Sequence, residues 1–343
     1  MTYLEQDLNL LADYINEKKF NNSTFLITGA TGLIGSLAIK GILKANEKHC
    51  ANIKVIALAR SQEKAQDVFE KNFNNKNLQF VYQDVALPIT LIESVDYIIH
   101  TANSTTSKYF ITNPVETMDS IYTGSRNVLE FAKEKTVKGL VYLSSMEVFG
   151  ATDPSKEIIT EKDLGYVDLT NVRSCYPEGK RLVECMCKCY AEEYSVPVKV
   201  ARLSQTFGAG VLKGENRVFA QFARSAMNKT DIVLHTKGDS VGNYCYTMDA
   251  LKAIFLLLVD GENGESYTVV NESTSMTIAE MAKMVAKEIA NDEIKVVFDI
   301  PEGNAFGYAP KTTMRLSSQK LRALGWEPTV SLKESYIRLM ESL

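Results

Sequence analysis

A tyrosine and a lysine four residues apart, Tyr176 and Lys180, have the side-chain types and the spacing that proton transfer needs. On a helix this spacing places both side chains on one face. A phenol with its ordinary pKa of about 10 is a poor base at neutral pH, and a neighbouring ammonium group favours the phenolate form. Such a tyrosine can exchange a proton with a substrate hydroxyl, and a nearby serine, Ser145, can hold the same oxygen.

A second set of residues is suited to binding phosphates. Gly29, Gly32 and Gly35 follow the apolar run 24–28 and precede the helical pattern 37–43. A glycine permits the tight turn out of the strand, another lets a pyrophosphate approach the backbone, and the third lets the helix pack closely. The free N–H groups at the start of the helix attract the phosphates. The motif in this context predicts a dinucleotide site, and a tight packing turn is the structural alternative.

The type of dinucleotide is indicated by the end of the second predicted strand. Arg60 lies there and no carboxylate does, which favours the 2′-phosphate of NADP over the free 2′-hydroxyl of NAD. Asp84, after the third strand, is predicted to contact the adenine edge, and Val85 is assigned to the same site. An arginine on the adenine or in solvent, and an aspartate in a turn, are the alternatives. NADP is the preferred cofactor and NAD the second choice.

The elements that must position these residues alternate between apolar strands and helices. Strands are predicted at 24–28, 53–58, 78–82, 95–99, 140–143 and 198–202, with helices between them. This pattern predicts an α/β fold, a Rossmann-type doubly wound parallel sheet with helices on both faces. A leading helix is assigned to 1–22, the NAD(P)-binding domain to 23–204 and a smaller mixed α/β substrate lobe mostly to 205–343, part of which returns to the first domain.

Composition excludes several classes of protein. The 343 residues are 45% hydrophobic and 23% charged, with a formal charge of −4. There is no basic field for a nucleic-acid partner and no apolar run of about 20 residues for a bilayer. The acidic, amphipathic first 19 residues do not resemble a secretory signal, so a cytoplasmic protein without membrane contact is expected.

The cysteines do not predict a metal site. Cys185, Cys187 and Cys189 alternate along a predicted helix, where only the first and third share a face. No histidine lies nearby in sequence to complete a tetrahedral site. Buried reduced thiols are expected instead.

A family resemblance rests on motifs in a specific order: TGATGLIG at 28–35, YQD at 82–84, HTAN at 100–103, YLSSMEVFG at 142–150, SCYPEGKR at 174–181, ARLSQTFG at 201–208 and LGWEP at 324–328. With these, the chain resembles an extended short-chain dehydrogenase/reductase of the nucleotide-sugar epimerase/dehydratase family. The resemblance implies that the second lobe binds a nucleoside diphosphate sugar. It also implies a homodimer that pairs through helices 114–134 and 176–194.

The resemblance also implies residue roles. Ser145, Tyr176 and Lys180 would be the catalytic triad, and the last two would also bind the nicotinamide ribose. The cofactor phosphates and ribose would contact the following residues: Thr31, Leu33 and Ile34 for the phosphates, and Thr101 and Ala102 for the ribose.

Departures from the family pattern limit the reaction. Dehydratases of the family usually carry an Asp-Glu pair after the catalytic Ser/Thr, where this chain has Met146-Glu147. A thioether cannot donate a proton, so dehydration is disfavoured, while Glu147 is either a base or substrate ligand or a residue that orients the loop. The segment with Arg173 most resembles the decarboxylase branch.

Other departures concern substrate binding. Asn243 stands where many relatives have an arginine that meets a substrate carboxylate or pyrophosphate, which argues against a glucuronate substrate. Gln205 replaces the usual asparagine. Arg217, Lys311 and Arg315 are the remaining candidates for the diphosphate, with solvated surface roles as the alternative.

The sequence therefore predicts an NADPH-dependent reductase of a keto-sugar nucleotide. An epimerase, or a dehydratase or decarboxylase with internally recycled NAD, is the alternative within the family. A reductase of small non-nucleotide carbonyl compounds is a third possibility. A non-enzymatic alternative is a regulator that binds the cofactor without catalysis, but the intact Ser145, Tyr176 and Lys180 favour an enzyme.

Overall fold

The strands and helices follow one another in the alternating order that the sequence predicts. A computed structural model describes residues 1–103, 106–301 and 311–343. The strands are β1 (Thr24–Thr28), β2 (Lys54–Ala59), β3 (Leu78–Tyr82), β4 (Tyr97–His100), β5 (Gly139–Ser145), β6 (Val198–Leu203), β7 (Gln205–Phe207), β8 (Ile232–Leu234), β9 (Val241–Tyr246), β10 (Ser266–Val269), β11 (Asn271–Thr277) and β12 (Val296–Phe298).

The helices alternate with these strands through the first two thirds of the chain. They are α1 (Tyr3–Glu17), α2 (Leu33–His49), α3 (Gln62–Phe69), α4 (Ser107–Thr112), α5 (Pro114–Lys135), α6 (Cys175–Tyr194), α7 (Val218–Asn228), α8 (Thr247–Asp260), α9 (Ile278–Met284), α10 (Gln319–Arg322) and α11 (Leu332–Met340). A π-helical turn, Val285–Ile289, continues α9, and short 3-10 turns include Met146–Phe149 and Val172–Ser174.

The main sheet has seven strands in the spatial order β10-β6-β5-β4-β1-β2-β3, and all its pairs are parallel. Successive residues of a strand face opposite sides of the sheet. Accordingly Phe25 and Ile27 pack with α1, α2 and α8, whereas Leu26 packs on the other side with α5 and α6. The predicted Rossmann-type parallel sheet, with helices on both faces and a smaller mixed lobe, is confirmed.

The smaller lobe holds two small sheets, β11-β9-β7 and β12-β8. Its core contains Phe207, Phe219, Tyr244 and Tyr336. The seventh strand of the main sheet, β10, comes from the part of the chain beyond residue 205 and pairs with β6. The boundaries at residues 22 and 204 stay predictions, because the chain passes repeatedly between the sheet and the lobe.

Helix α1 is packed into the fold rather than being a free leader. Leu11 and Ile15 are fully buried, and a Cβ on Gly41 of α2 would lie 2.4 Å from Leu11 Cδ2. Asp7 of α1 is also buried, accepts a hydrogen bond from the hydroxyl of Tyr246, and pairs with Arg338 of α11 at 2.7 Å. Within the described part of the chain, no helix combines the length and apolar character needed to cross a membrane.

Candidate active site

The glycine-rich turn between β1 and α2 is shaped by close backbone contacts. Gly29 has φ +65°, and a Cβ there would lie 2.5 Å from Thr101 Oγ1 and 2.8 Å from the backbone of Ala102. A Cβ on Gly35 would lie 2.5 Å from the carbonyl oxygen of Gly29. Only glycine fits either position, so the backbone itself forms the surface of the turn.

Helix α2 begins at this turn without a side-chain cap. Its N-cap residue is Gly32, which has no side chain to accept hydrogen bonds from the first-turn amides of Leu33, Ile34 and Gly35. Uncapped amides at a helix N-terminus bind anions. The turn and the helix start therefore fit the pyrophosphate of a dinucleotide. The cofactor contacts of Gly29 to Gly35, with Thr31 among them, remain predictions.

At the predicted adenosine end, Arg60 is loosely held. Its side chain is 77% exposed, and its Nη1 lies 3.9 Å from Asp84 Oδ2. Asp84 Oδ1 accepts a hydrogen bond from the amide of Ala86 at 2.9 Å, and Val85 is buried. The structure places all three residues at the carboxyl end of β2 and β3, as expected, but the 3.9 Å contact with Asp84 does not fix Arg60 for a 2′-phosphate. The NADP preference stays a prediction.

The segment after β4 covers the glycine-rich turn. Thr101 Oγ1 donates to the carbonyl of Thr28 at 2.8 Å, and the amide of Ala102 donates to Thr28 Oγ1 at 3.3 Å. His100 is buried between Thr28 Oγ1 at 2.6 Å and Ser125 Oγ at 3.0 Å. Burial, with a smaller effect from the charge of Lys180, lowers the pKa of His100 to about 3, so the ring is neutral at physiological pH.

Tyr176 and Lys180 lie together in the interior, on α6 against the carboxyl end of β5. Tyr176 is 6% exposed and stacks on Phe110 with ring centroids 4.2 Å apart. Lys180 is 2% exposed, donates to the carbonyl of Leu143 at 2.7 Å, and has its Nζ 5.8 Å from the centre of the Tyr176 ring. The four-residue spacing thus places both groups on one helix face beside the end of a strand.

Burial determines the acidity of both groups. It lowers the pKa of Lys180 to about 7, opposed by the nearby Glu184 and Cys187. It also raises the pKa of Tyr176 well above its ordinary value, and the charge of Glu147 adds to this. A hydrogen bond from Ser145 and the charges of Arg217 and Arg173 act in the opposite direction. Ser145 and Arg217 therefore belong to the surroundings of the phenol.

Glu147 is engaged in a forked ion pair. Its carboxylate accepts hydrogen bonds from Arg173 Nη1 at 2.7 Å and Nη2 at 3.0 Å. The amide of Glu147 donates to Ser145 Oγ at 3.2 Å. Two parallel bonds to a guanidinium leave little freedom for a carboxylate to act as a base. The structure therefore favours the loop-orienting alternative for Glu147 over a free base or substrate ligand.

The predicted substrate residues divide into two groups, and Gln205 and Arg217 form the one near the site. Gln205 follows β6 and has a buried Oε1 without a hydrogen-bond partner among the described residues. Arg217 Nη2 pairs with Glu215 at 2.6 Å, and its charge reaches Tyr176. Both remain candidates for substrate contacts.

The other predicted substrate residues are engaged elsewhere. Asn243 is fully buried, and its amide joins β9 to the carbonyl of Met314 and the amide of Leu316, both at 3.0 Å. It therefore holds this segment in place, and the expectation that it faces a substrate is not supported. Lys311 pairs with Asp239 at 2.7 Å, and Arg315 is exposed, with its charge acting on Glu280.

One buried polar network beside the site is not apparent from sequence. Glu184, four residues after Lys180 on α6, binds the guanidinium of Arg202 at 2.6 Å and accepts from Ser144 Oγ at 2.5 Å. It links β5, β6 and α6 beside Lys180. The one sequence feature that points to Glu184 is its four-residue spacing from Lys180, which puts both side chains on the same helix face.

The cysteines of α6 differ from the expected burial. Cys187 is buried, but Cys185 and Cys189 are exposed, because the outer face of α6 carries both. In the described ranges no group of three or more potential metal ligands occurs. The prediction of buried thiols is therefore wrong for two of the three.

Comparison with known proteins places this site in a family. A profile of the NAD dependent epimerase/dehydratase family matches residues 25–271. UDP-glucuronic acid decarboxylase 6 of Arabidopsis thaliana is 29% identical over 328 residues, which are 95% of this chain and 90% of that protein. UDP-glucuronic acid decarboxylase 1 of Danio rerio is 28% identical over 322 residues, 94% of this chain and 72% of that protein.

Solved structures resemble most of the chain. UDP-glucose 4-epimerase of Thermotoga maritima, solved with UDP-glucose, superposes with a TM-score of 0.77 at 22% identity, covering 93% of this chain and 98% of that one. The dTDP-glucose 4,6-dehydratase of Bacillus anthracis in complex with NAD gives 0.73 at 18% identity, covering 93% and 96%. At these identities the likeness shows the fold. The profile matches most of the chain, and this match shows that the protein belongs to the NAD dependent epimerase/dehydratase family.

Proposed function

We propose that this protein oxidises a ring hydroxyl of a nucleotide-activated sugar and returns the hydride to the sugar within the same turnover. The observation that carries the proposal is the buried pair Tyr176 and Lys180, with Ser145 among the groups that lower the pKa of the phenol. The C4 hydroxyl is the position proposed, because the names of the epimerase and dehydratase neighbours point to that carbon.

The chain's own groups supply the proton path. Ser145 holds the substrate oxygen, and Tyr176 takes the proton of the hydroxyl and later gives it back. Lys180, fixed by the carbonyl of Leu143, favours the phenolate while it is charged. Gly29 to Gly35 and Thr101 would hold NAD, which supplies a reversible hydride acceptor. The family supports NAD, and Asp84 beside Arg60 would oppose the 2′-phosphate of NADP.

Two observations disfavour dehydration. Met146 cannot donate a proton, and Glu147 is bound by Arg173 through both carboxylate oxygens. Decarboxylation needs no such base. A ketone at C4 of a glucuronate makes the carboxylate a β-keto acid, so the C5–C6 bond can break with loss of CO₂. The electron pair passes to the ketone as an enolate, and C5 then takes a proton from water. The hydride removed from C4 in the first step returns to that carbon and reduces the ketone back to the alcohol.

UDP-glucuronic acid is therefore the first substrate to test. The similarity to UDP-glucuronic acid decarboxylases over most of the chain supports this choice. Arg173 already binds one carboxylate in a forked arrangement, and a substrate carboxylate could take the place of Glu147.

A second candidate is a 4-epimerase acting on a neutral sugar. The burial of Asn243 favours it, because that position offers no cation to a substrate carboxylate. Net reduction of a keto-sugar, predicted from Arg60 and Met146, has less support, because the named relatives are decarboxylases.

The test incubates the protein with NAD and either UDP-glucuronic acid or UDP-glucose, and follows products by mass spectrometry and ¹H NMR. Release of CO₂ with a UDP-pentose supports the decarboxylase, and a C4 epimer of UDP-glucose supports the epimerase. A parallel panel of keto-sugar nucleotides with NADPH covers the reductase. Stoichiometric loss of NADPH absorbance there, with no product in the NAD reactions, would contradict the proposal.

We also propose a cytoplasmic homodimer that pairs through α5 and α6. The outer side of these helices exposes Val115 (73%), Met118 (45%) and Leu182 (47%), an apolar surface suited to a second copy. Sedimentation at micromolar concentration is expected to give a dimer, and a monomer there would contradict it.

A further inference from the structure

Asn103 stands out among the buried amides of this protein. Both polar atoms of its side chain are buried, and neither has a hydrogen-bond partner in the part of the chain that the structure describes. Interior polar groups are almost always partnered, and an unsatisfied amide destabilises a fold. Asn243, by contrast, bonds through both ends of its amide to residues on another segment.

The position of Asn103 relates it to the candidate site. It is three residues beyond His100, whose pKa responds to the charge of Lys180, and directly follows Ala102. The backbone of Ala102 covers Gly29, and its side chain packs on the apolar cluster that includes Tyr176 and Phe110. Asn103 therefore follows a segment that joins the glycine-rich turn to the catalytic tyrosine.

We infer that the side-chain amide of Asn103 binds a ring hydroxyl of a ligand in this site. A hydroxyl both donates and accepts, and so can satisfy an amide group that presents an N–H and a carbonyl. The hydroxyl belongs either to a ribose of the dinucleotide or to the hexose of the sugar nucleotide. The inference rests on the proposed function, which supplies these two ligands. It adds Asn103 to the residues that would bind their hydroxyls.

An unpartnered amide kept for a ligand has a signature that a structural amide lacks. Removing it relieves an unsatisfied buried group in the free protein, so the free protein keeps or gains stability. Removing a structural amide, whose partners would be left unsatisfied, lowers stability instead. Stability of the free protein and affinity for the ligand should therefore change in different directions.

The experiment compares wild type, Asn103→Ala and Asn228→Ala, the last being an exposed asparagine at the end of α7. Thermal unfolding without ligand is measured first. Isothermal titration then measures three affinities: NAD alone, UDP-glucose with saturating NAD, and UDP with saturating NAD. UDP lacks the hexose, so the three arms separate the two sources of the hydroxyl.

We expect Asn103→Ala to unfold at the wild-type temperature or above, and to lose about 3- to 10-fold in one affinity. Loss for NAD assigns the hydroxyl to the cofactor ribose, and loss for UDP-glucose but not UDP assigns it to the sugar. Asn228→Ala should match wild type throughout. Unchanged affinities in Asn103→Ala, or a lower unfolding temperature in the absence of ligand, would overturn the inference. Failure of wild type to bind NAD, or to bind either UDP-glucose or UDP-glucuronic acid offered in its place, would instead remove the proposed function, and this inference with it.

Discussion

Each end of the main sheet buries a lysine near a tyrosine. At the carboxyl end, Lys180 is 2% exposed and lies beside Tyr176; at the amino end, Lys199 is 3% exposed and lines a cleft that also includes Tyr97. Burial lowers the pKa of Lys180 to about 7 and that of Lys199 to about 8. Burial also raises the pKa of both tyrosines. By acidity alone the two pairs are alike.

The neighbours of the two pairs differ. Lys180 donates a short hydrogen bond of 2.7 Å to the carbonyl of Leu143, and Ser145 acts to lower the pKa of the neighbouring Tyr176. Lys199 makes longer contacts of 3.3 Å to Pro197 and 3.4 Å to Leu258, a carbonyl near the end of α8. The ammonium at the amino end is suited to stabilising a helix C-terminus. A displaced lysine pKa is therefore not sufficient to indicate catalysis, and the arrangement of neighbours decides.

The largest difference in turnover rate is expected between Tyr176→Phe and Tyr97→Phe. Tyr176→Phe should lower the turnover rate by about 10² to 10⁴, because it removes the group that moves the proton. Tyr97→Phe, the matched change at the amino end, should leave the rate within about twofold of wild type, because Tyr97 lies at the opposite end of the sheet from the candidate site. Steady-state kinetics on whichever sugar nucleotide turns over provides the measurement. Equal rates for both variants would erase the distinction between the two ends and favour a non-catalytic cofactor-binding protein.

The lysines come next. Lys180→Met should reduce kcat by about 100-fold, since the phenolate loses its cationic neighbour. Lys199→Met should leave kcat unchanged. Circular dichroism of both variants checks that each is folded, and NAD titration checks that the site still binds. A comparable fall in kcat for folded Lys199→Met would mean that the amino-end pair also takes part in turnover.

Stability should respond to pH at both ends of the sheet. A lysine with a folded pKa below its unfolded value of 10.5 gives up its proton on folding, so the unfolded chain binds more protons between the two values. The unfolding free energy should therefore rise with pH from about 7 for Lys180 and about 8 for Lys199, up to 10.5. Each lysine contributes at most about 1.4 kcal/mol per pH unit.

Urea denaturation at several pH values between these limits measures the slope. Lys180→Met and Lys199→Met should each flatten it, and the double variant should flatten it further. The Lys180 contribution should already be present between pH 7 and 8, where that of Lys199 has barely begun. Identical slopes in wild type and the double variant would show that neither ammonium is as strongly disfavoured as its burial suggests.

The smallest effect is expected at the exposed rim of the carboxyl end. Arg60 is 77% exposed and only 3.9 Å from Asp84, so Arg60→Ala should change NAD affinity by less than about threefold. Titration with NAD and NADP in parallel tests it. A loss of tenfold or more for NADP, with tight NADP binding by wild type, would support the prediction that Arg60 recognises a 2′-phosphate.

The features that sequence predicts well depend on residues close together in the chain. The glycine-rich turn, the strand before it and the spacing of Tyr176 and Lys180 are local patterns with a single structural consequence. The long helix predicted at 114–134 is observed as Pro114–Lys135 for the same reason, with proline at its first turn and lysines near its end.

Features that sequence does not predict depend on distant partners. Glu147 meets Arg173, which is 26 residues away, and Asn243 meets Met314 and Leu316 more than seventy residues away. Neither residue type identifies its partner. From sequence, an amide that holds two chain segments together by hydrogen bonds therefore cannot be distinguished from one that binds a ligand. The exposure of Cys185 and Cys189 likewise depends on which face of α6 is left uncovered by the rest of the fold.

The return of β10 to the main sheet has a mechanical consequence. The chain passes between sheet and smaller lobe from β6 to β7, from β9 to α8 and from β10 to β11. At most one residue separates the elements at each crossing: Ser204 at the first, none at the second and Val270 at the third. A rigid rotation of the lobe would have to bend these three short crossings together. Opening and closing of the cleft to admit a sugar nucleotide should therefore depend on surface loops and not on a hinge between two bodies.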